Sequence, residues 1–351
     1  MGFDMDKLGA LDGAGFDAII DVRSPSEYAE DHVPGAINLP ALSDAERARV
    51  GTIYVQDSAF KARKIGAALV ARNAASHIEG PLADKDGGWQ PLVYCWRGGQ
   101  RSASFASILQ QIGWRAECLC GGYRSYRRLV VRRLYEDRFL SPVILLDGNT
   151  GTAKTEVLAL LNDRDIQVID LEALANHRGS ALGGQGEQPS QKAFETRLAR
   201  EVDALDPARP VVIEAESSKV GKLSLPTGLF AAMKDARRLR IEAPVKARAA
   251  YLTRTYGDLV QDTTVLMDRL DRLVRLQGRE KVQAWKDMAL AGQHVDLAEQ
   301  LIRDHYDPRY IKGRERRNPG EETVLAANDL GAEDLDRLAD DVARIVNAPA
   351  K

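Results

Sequence analysis

One cysteine flanked by arginines and glycines is the first feature that could do chemistry. Tyr94-Cys95-Trp96-Arg97-Gly98-Gly99-Gln100-Arg101-Ser102 follows the apolar run Pro91-Leu92-Val93-Tyr94 and leads into Ala103-Ser104-Phe105-Ala106-Ser107-Ile108-Leu109, which reads as a helix. The order predicts strand, tight loop, helix, with a thiol at the strand's C-terminal end. Loop N–H groups and the positive end of the helix dipole favour a thiolate there, and Arg97 and Arg101 add positive charge. The glycine pair lets the backbone curl so that several N–H groups point inward at an anion. Cys95 is therefore the expected nucleophile or chalcogen carrier. Trp96, Arg97, Gly98, Gly99, Gln100 and Arg101 form its oxyanion loop.

A second anion-binding stretch follows the buried-strand pattern Pro142-Val143-Ile144-Leu145-Leu146-Asp147. Gly148-Asn149-Thr150-Gly151-Thr152-Ala153-Lys154-Thr155 matches the phosphate-binding layout G-x-x-x-x-G-K-[ST], except that Ala153 stands at the second glycine. Alanine adds only a methyl, so a right-handed backbone at Ala153 and an intact loop are expected. Backbone N–H groups, the helix N-terminus and Lys154 would converge on linked phosphates, and Thr155 is where such loops hold magnesium. Val168-Ile169-Asp170-Leu171-Glu172 and Pro210-Val211-Val212-Ile213-Glu214-Ala215-Glu216 read as strands ending in acids. Glu214 takes the strand-end position at which such proteins orient magnesium, without its role being fixed. The sequence makes no metal site certain. No base-reading N-K-x-D motif follows residue 155, so an apolar groove is set against a nucleotide pocket. Leu252, Leu259, Val260, Leu266 and Met267 are its candidate lining.

Positioning two such loops takes two sheets, and 351 residues have room for about two domains with real cores. A net charge of −2 gives no bulk attraction to nucleic acid, so RNA binding must come from local patches. Three cysteines without CxxC spacing argue against a disulfide framework and a structural zinc site. Cys118 and Cys120 have strand spacing and read as structural. No apolar run approaches the ~20 residues that cross a bilayer and the N-terminus does not read as a signal peptide, so a cytoplasmic protein is expected.

Phe16–Arg23 reads as a strand ending in charge, and Ser24-Pro25-Ser26-Glu27-Tyr28 as a capped helix start. His32–Pro40 gives a turn and a strand, with His32 structural, and residues 44–75 are helical. Residues 123–139 form a basic amphipathic connector whose Arg127, Arg128, Arg132 and Arg133 suit either a solvated face or RNA phosphates. Residues 176–192 suggest a mobile loop. Val245–His305 is mostly helical, Arg314, Arg316 and Arg317 make a small basic cluster, and a last helix runs around Leu335, Leu338, Val342 and Ile345.

The Asp21-Val22-Arg23-Ser24-Pro25-x-Glu27-Tyr28 run, the His32-x-Pro34-Gly35-Ala36-Ile37-Asn38 run, the cysteine loop and Gly121-Gly122-Tyr123 together resemble a rhodanese domain. Such a domain followed by a P-loop domain resembles the bacterial tRNA 2-selenouridine synthases. The likeness extends to Asp170–Ser180, Glu214–Gly221 and Tyr306-Asp307-Pro308-Arg309-Tyr310. It implies an N-terminal rhodanese-like α/β domain (1–128), a basic helical connector (129–140) and a P-loop NTPase-like α/β domain with a helical C-terminal part (141–351). It further implies a transferase that replaces sulfur by selenium at the 2-thiouridine of the tRNA wobble position. Selenophosphate would be the donor, and S-geranylation from geranyl diphosphate the intermediate step. Cys95 would handle selenium, and Gly148 to Thr155 the diphosphate. No tightly bound cofactor is implied. Magnesium and delivery of selenophosphate by its own synthase are compatible with the resemblance. Other classes stay open: a rhodanese-type sulfurtransferase or a Cys-x5-Arg phosphatase (Cys95 to Arg101) joined to a P-loop ATPase, or a non-enzymatic RNA-binding module.

Overall fold

The computed structural model describes residues 2–177, 187–257, 262–315 and 322–348. Contacts divide the chain into two compact units, residues 1–138 with 189–204, and residues 139–188 with 205–351.

In the first unit, β1 (Gly2–Phe3), β2 (Ala18–Asp21), α1 (Pro25–Glu30), β3 (Ala36–Asn38), α2 (Asp44–Gln56), α3 (Ala59–Glu79), β4 (Pro91–Tyr94), α4 (Gln100–Ile112), β5 (Glu117–Leu119) and α5 (Gly122–Val131) follow in order. The strands pair in parallel as β1-β5-β4-β2-β3. All four residues of β4 are buried, as expected of an unbroken apolar strand at the centre of a parallel sheet. Ser24 and Glu27 form a capping box with Pro25 at the first helical position, so α1 starts where its sequence says it should. Ile20, Val93, Phe105, Leu109 and Trp114 are among the core between sheet and helices.

In the second unit, β6 (Val143–Gly148), α6 (Lys154–Asn162), β7 (Gln167–Ile169) and α7 (Leu171–Leu174) come first. The chain then returns to the first unit for α8 (Gln191–Ala204). It continues with β8 (Val211–Glu214), the antiparallel ribbon β9 (Lys219–Val220) and β10 (Leu223–Ser224), α9 (Thr227–Lys234), β11 (Arg237–Glu242) and α10 (Val245–Thr255). Helices α11 (Thr263–Asp271), α12 (Val274–Gln277), α13 (Arg279–Leu290), α14 (His294–Leu301) and α15 (Asp307–Glu315) precede β12 (Glu322–Ala326) and α16 (Ala332–Val346). The sheet is parallel, in the order β12-β11-β6-β8-β7. The phosphate-binding strand β6 is its centre. Leu335, Leu338, Val342 and Val346 of α16 pack into the core of this sheet, while Leu266, Leu270, Trp285 and Tyr306 form a separate helical core.

The division differs from the sequence expectation in two ways. The basic stretch 129–140 is no free connector: α5 runs to Val131 and a π-helical turn follows over Arg132–Glu136, both within the first unit. Helix α8, expected in the second domain, completes the first. Its Thr196 Oγ1 donates to Asp31 (2.8 Å), and its Glu195 accepts from the Tyr135 hydroxyl (2.8 Å) and pairs with Arg127. Of the stretch 176–192, residues 178–186 lie outside the described residues, and Gln191 already begins α8.

Gly122 shows how tightly the cysteine loop and α5 meet. It has φ +60°, and a Cβ built on it would lie 2.2 Å from the Cys95 carbonyl oxygen. Gly122→Ala is expected to destabilise the protein by about 1–3 kcal/mol. Gly51→Ala, in α2 with no atom near the added methyl, should be neutral or stabilising by about 0.5–1 kcal/mol. Urea denaturation midpoints of the two variants check the contrast.

Candidate functional site

Each unit presents one loop at the C-terminal end of its central strand. In the first unit Cys95 follows β4, only 3% exposed, and Gly98 turns the loop with φ +65°. The amide of Tyr123 donates to the Cys95 carbonyl (2.8 Å) and that of Arg124 to the Trp96 carbonyl (3.0 Å), so the start of α5 holds the loop in place. The Cys95 Sγ lies 3.2 Å from the Ser102 hydroxyl, whose one hydrogen can go to the sulfur or to the Gly99 carbonyl (3.1 Å). Burial pushes the thiol up. The Ser102 hydroxyl and amide, the Arg101 charge and the Arg97 amide outweigh it and leave the pKa below the ordinary cysteine value. A thiolate is thus favoured by hydrogen bonds aimed at the sulfur. Sequence reasoning gave Ser102 no role. Its signal was a small hydroxyl in the first turn of the helix that follows the loop.

Arg97, Gly99 and Gln100 are exposed, and Trp96 packs against Tyr123 with ring centroids 5.4 Å apart. Arg101 pairs with Glu27 at 2.8 Å, and Glu27 also meets Arg47 at 3.0 Å. A phosphatase loop needs this arginine on the phosphate, so the ion pair counts against that alternative. His32 stacks on Tyr28 at 3.9 Å and is structural, as its turn motif implies.

In the second unit the loop Gly148–Thr155 joins β6 to α6. Ala153 is left-handed, at φ +59° and ψ +26°, which overturns the expected right-handed backbone. The loop needs that turn for its N–H groups to face inward, and alanine adopts it at a cost of about 1–2 kcal/mol. Lys154 Nζ donates to the Gly148 carbonyl (2.8 Å). Burial pushes this lysine down, but Tyr310, Glu172, Asp147 and Glu216 together raise it above its ordinary value, so it stays charged. Arg248 of α10, 4% exposed, braces the loop from behind. Its Nε and Nη2 donate to the Thr150 carbonyl (2.9 and 2.8 Å), and it makes a two-point pair with Asp307 (2.9 and 2.7 Å), which accepts from Asn149 Nδ2 (2.8 Å).

A pocket of about 240 Å³ lies over this loop. Gly151, Lys154 and Thr155 form its floor, Glu172 an acidic corner, and Tyr251, Leu252 and Tyr256 an apolar wall. Of the expected groove residues, Leu252 lines the pocket. Leu266 and Met267 belong to the helical core instead, and Leu259 and Val260 lie outside the described residues.

Glu214 is not the acid that meets the phosphate loop. It is fully buried, and its Oε2 accepts from the Leu171 amide (2.6 Å). Burial and the neighbouring Asp170 raise its carboxyl well above the usual range, and its hydrogen bond braces the start of α7. Glu172 takes the position instead, its carboxylate 3.5 Å from the Thr155 hydroxyl. Among the described residues no group of three or more His, Cys, Asp or Glu side chains is placed to hold a metal ion.

The proposed RNA arginines divide. Arg127 is tied to Glu195, and Arg133 donates to the Val202 carbonyl (3.0 Å) and lies 3.6 Å from Asp203. These two side chains hold α8 within the first unit. Arg128 and Arg132 are exposed. Arg316, Arg317 and the side chain of Arg314 lie outside the described residues.

The sequence comparisons follow the same division. The Rhodanese-like domain family matches residues 4–129, and the tRNA 2-selenouridine synthase AAA domain matches residues 141–274. The tRNA 2-selenouridine synthase of Bordetella bronchiseptica is 33% identical over 85% of this chain and 88% of its own. That of Psychromonas ingrahamii is 31% identical over 83% and 86%, and that of Bdellovibrio bacteriovorus 29% identical over 86% and 89%. The chain belongs to the tRNA 2-selenouridine synthase family. Membership accounts for both anion-binding loops in one polypeptide, which neither loop does alone. Among the described residues no helix is long and apolar enough to cross a membrane.

Glu216 gives a readout of the acidic corner. Burial and repulsion from Glu172 raise its pKa to about 7, against the pull of Lys154. It binds its proton more tightly folded than unfolded, so its contribution to stability is lost as pH rises from the usual glutamate range through about 7. Glu216→Gln removes that loss. Its melting temperature should match the parent near pH 4 and exceed it by a few degrees near pH 8. Identical pH profiles would show that the corner does not confine charge.

Proposed function

We propose that this enzyme replaces the sulfur of 2-thiouridine by selenium at the wobble position of tRNA. Selenophosphate is the donor and geranyl diphosphate the activator. The observation that carries the reading is a thiolate-favouring loop and a phosphate-binding loop in one chain, matched along most of its length by synthases of that name. The two co-substrates are those that the resemblance to the synthases implies, and the chemistry of the two loops is compatible with them.

Alkylation of the thiocarbonyl sulfur comes first. The sulfur attacks C1 of the geranyl group, the C1–O bond breaks, and diphosphate departs as the base loses its N3 proton. Negative charge grows on the leaving diphosphate, where Lys154, the loop amides and the N-terminus of α6 can stabilise it. Tyr251, Leu252 and Tyr256 suit a prenyl chain. In the second step the selenium of selenophosphate adds at C2 and the geranylated sulfur leaves as geranylthiolate, a far better leaving group than sulfide. Water then breaks the Se–P bond, releasing phosphate and leaving the selenocarbonyl as N3 regains its proton. The Cys95 loop, with inward amides and a sulfur held by Ser102, would receive the tetrahedral selenophosphate. Selenophosphate, geranyl diphosphate and a cytoplasmic setting are parts of this proposal.

Cys95→Ala is expected to abolish selenouridine formation while retaining geranyl transfer. Mass spectrometry of wobble nucleosides checks this, and an unchanged selenouridine yield would remove Cys95 from the reaction. Lys154→Ala should lose geranyl transfer together with thermal protection by geranyl diphosphate. In the parent enzyme that protection should exceed protection by ATP at equal concentration, reaching about 2.7 kcal/mol at a hundredfold excess over Kd. Strong protection by ATP and none by geranyl diphosphate would favour a nucleotide-driven domain.

A further inference from the structure

Helices α2 and α3 pack as a hairpin that turns at Asp57 and Ser58. Apolar side chains gather at this tip with little cover: Tyr54 is 60% exposed, Val55 83% and Phe60 69%. Such a group on a soluble domain marks an interaction surface more often than chance. The surrounding charge indicates the kind of partner. Residues 47–64 carry five cations and one acid, in a chain of net charge −2. The one acid, Asp57, pairs with Lys61, and Arg47 pairs with Glu27. Arg49, Arg63 and Lys64 are exposed, and no ion pair reaches them among the described residues.

On α3 the buried positions Ala62, Leu69, Val70 and Ala74 define the face turned to the core. Phe60, Arg63 and Lys64 lie at three- and four-residue spacing on another face, so an aromatic ring and two cations share one exposed stripe. The tip is also held firm. Ser58 caps α3 by accepting from the Lys61 amide (3.4 Å), and the Asp57 amide closes α2 on the Ile53 carbonyl (3.0 Å). A rigid display of aromatic faces among unneutralised cations suits an unpaired nucleic-acid strand, whose bases stack and whose phosphates need counter-charge.

We propose that the tip of the α2–α3 hairpin is an RNA-contact surface, with Tyr54 and Phe60 stacking on unpaired bases and Arg49, Arg63 and Lys64 neutralising phosphates. The inference rests on tRNA being the substrate, and it moves the main contact away from Arg127 and Arg133, which are engaged within the unit.

The test uses the full chain and an unmodified tRNA transcript in fluorescence anisotropy over a salt titration. Two variants are compared with the parent: Arg49→Gln/Arg63→Gln/Lys64→Gln, and Tyr54→Ser/Phe60→Ser. The triple variant should lower the slope of log K against log salt by about 2–3, at roughly 0.7–0.9 per contact. The aromatic variant should bind roughly tenfold or more weakly with its slope unchanged. Every substitution is on exposed surface, so circular dichroism and protection by geranyl diphosphate should stay at parental values. Unchanged affinity and slope in both variants would overturn the hairpin assignment while leaving the tRNA reading intact. So would a parent dimer that the aromatic variant converts to monomer with RNA binding unaltered, since the patch would then join two copies of this chain. A parent protein that does not bind the transcript overturns the hairpin assignment and the tRNA reading together.

Discussion

The first unit depends on one buried cation. Arg23 is 1% exposed, and its Nε and Nη2 are engaged: Asp21 takes a two-point pair, the Asp31 carbonyl accepts from Nη2 at 2.6 Å, and the Tyr123 ring lies 3.9 Å away. Tyr123 donates its hydroxyl to the Asp31 carboxylate, which also accepts from Thr196 of α8. The Tyr123 backbone in turn holds the Cys95 carbonyl. A charge this deep is tolerable only when it is paired and hydrogen-bonded. The requirement joins β2, the end of α1, the cysteine loop, α5 and α8 into one geometry. The reactive loop is therefore placed by a polar network as much as by the apolar core beneath it.

In the second unit Arg248 has the equivalent task, bracing the phosphate loop through Thr150 and Asp307. Both loops thus rest on a buried arginine. Arginine suits this because its fixed fork of donors can hold two elements at defined angles. Lys154, by contrast, lines the pocket and gives its ammonium, a point charge, to the Gly148 carbonyl.

Much of this was legible in the residues. The buried run into Gly148–Thr155 and the run into Cys95 each predicted strand, loop and helix, and β4, α4, β6 and α6 lie there. What escaped depended on partners remote in sequence. An amphipathic helix reads alike whichever core it covers, so nothing in Gln191–Ala204 announced a return to the first unit. A basic run likewise does not reveal that Glu195 lies opposite Arg127. Glu214 and Glu172 both read as acids at strand ends; Glu172 lies in the first turn of α7 instead, and only the fold shows that it, not Glu214, reaches Thr155. At Ala153 the local rule failed because the loop's own closure overrides the intrinsic preference of alanine.

The excursion of the chain through α8 has a consequence for how the protein is made. A ribosome adds about 5–20 residues per second, and domains commonly fold in the order in which they emerge. Here Asp31 and Arg127 wait for Thr196 and Glu195, so the first unit stays open until the phosphate-loop segment and more have been synthesised. The nascent chain therefore carries its cysteine loop in an unfinished fold, with the buried Asp31 carboxylate short of one donor. Completion of the polar network that joins α1, α5 and α8 consequently comes late, from a helix encoded well downstream.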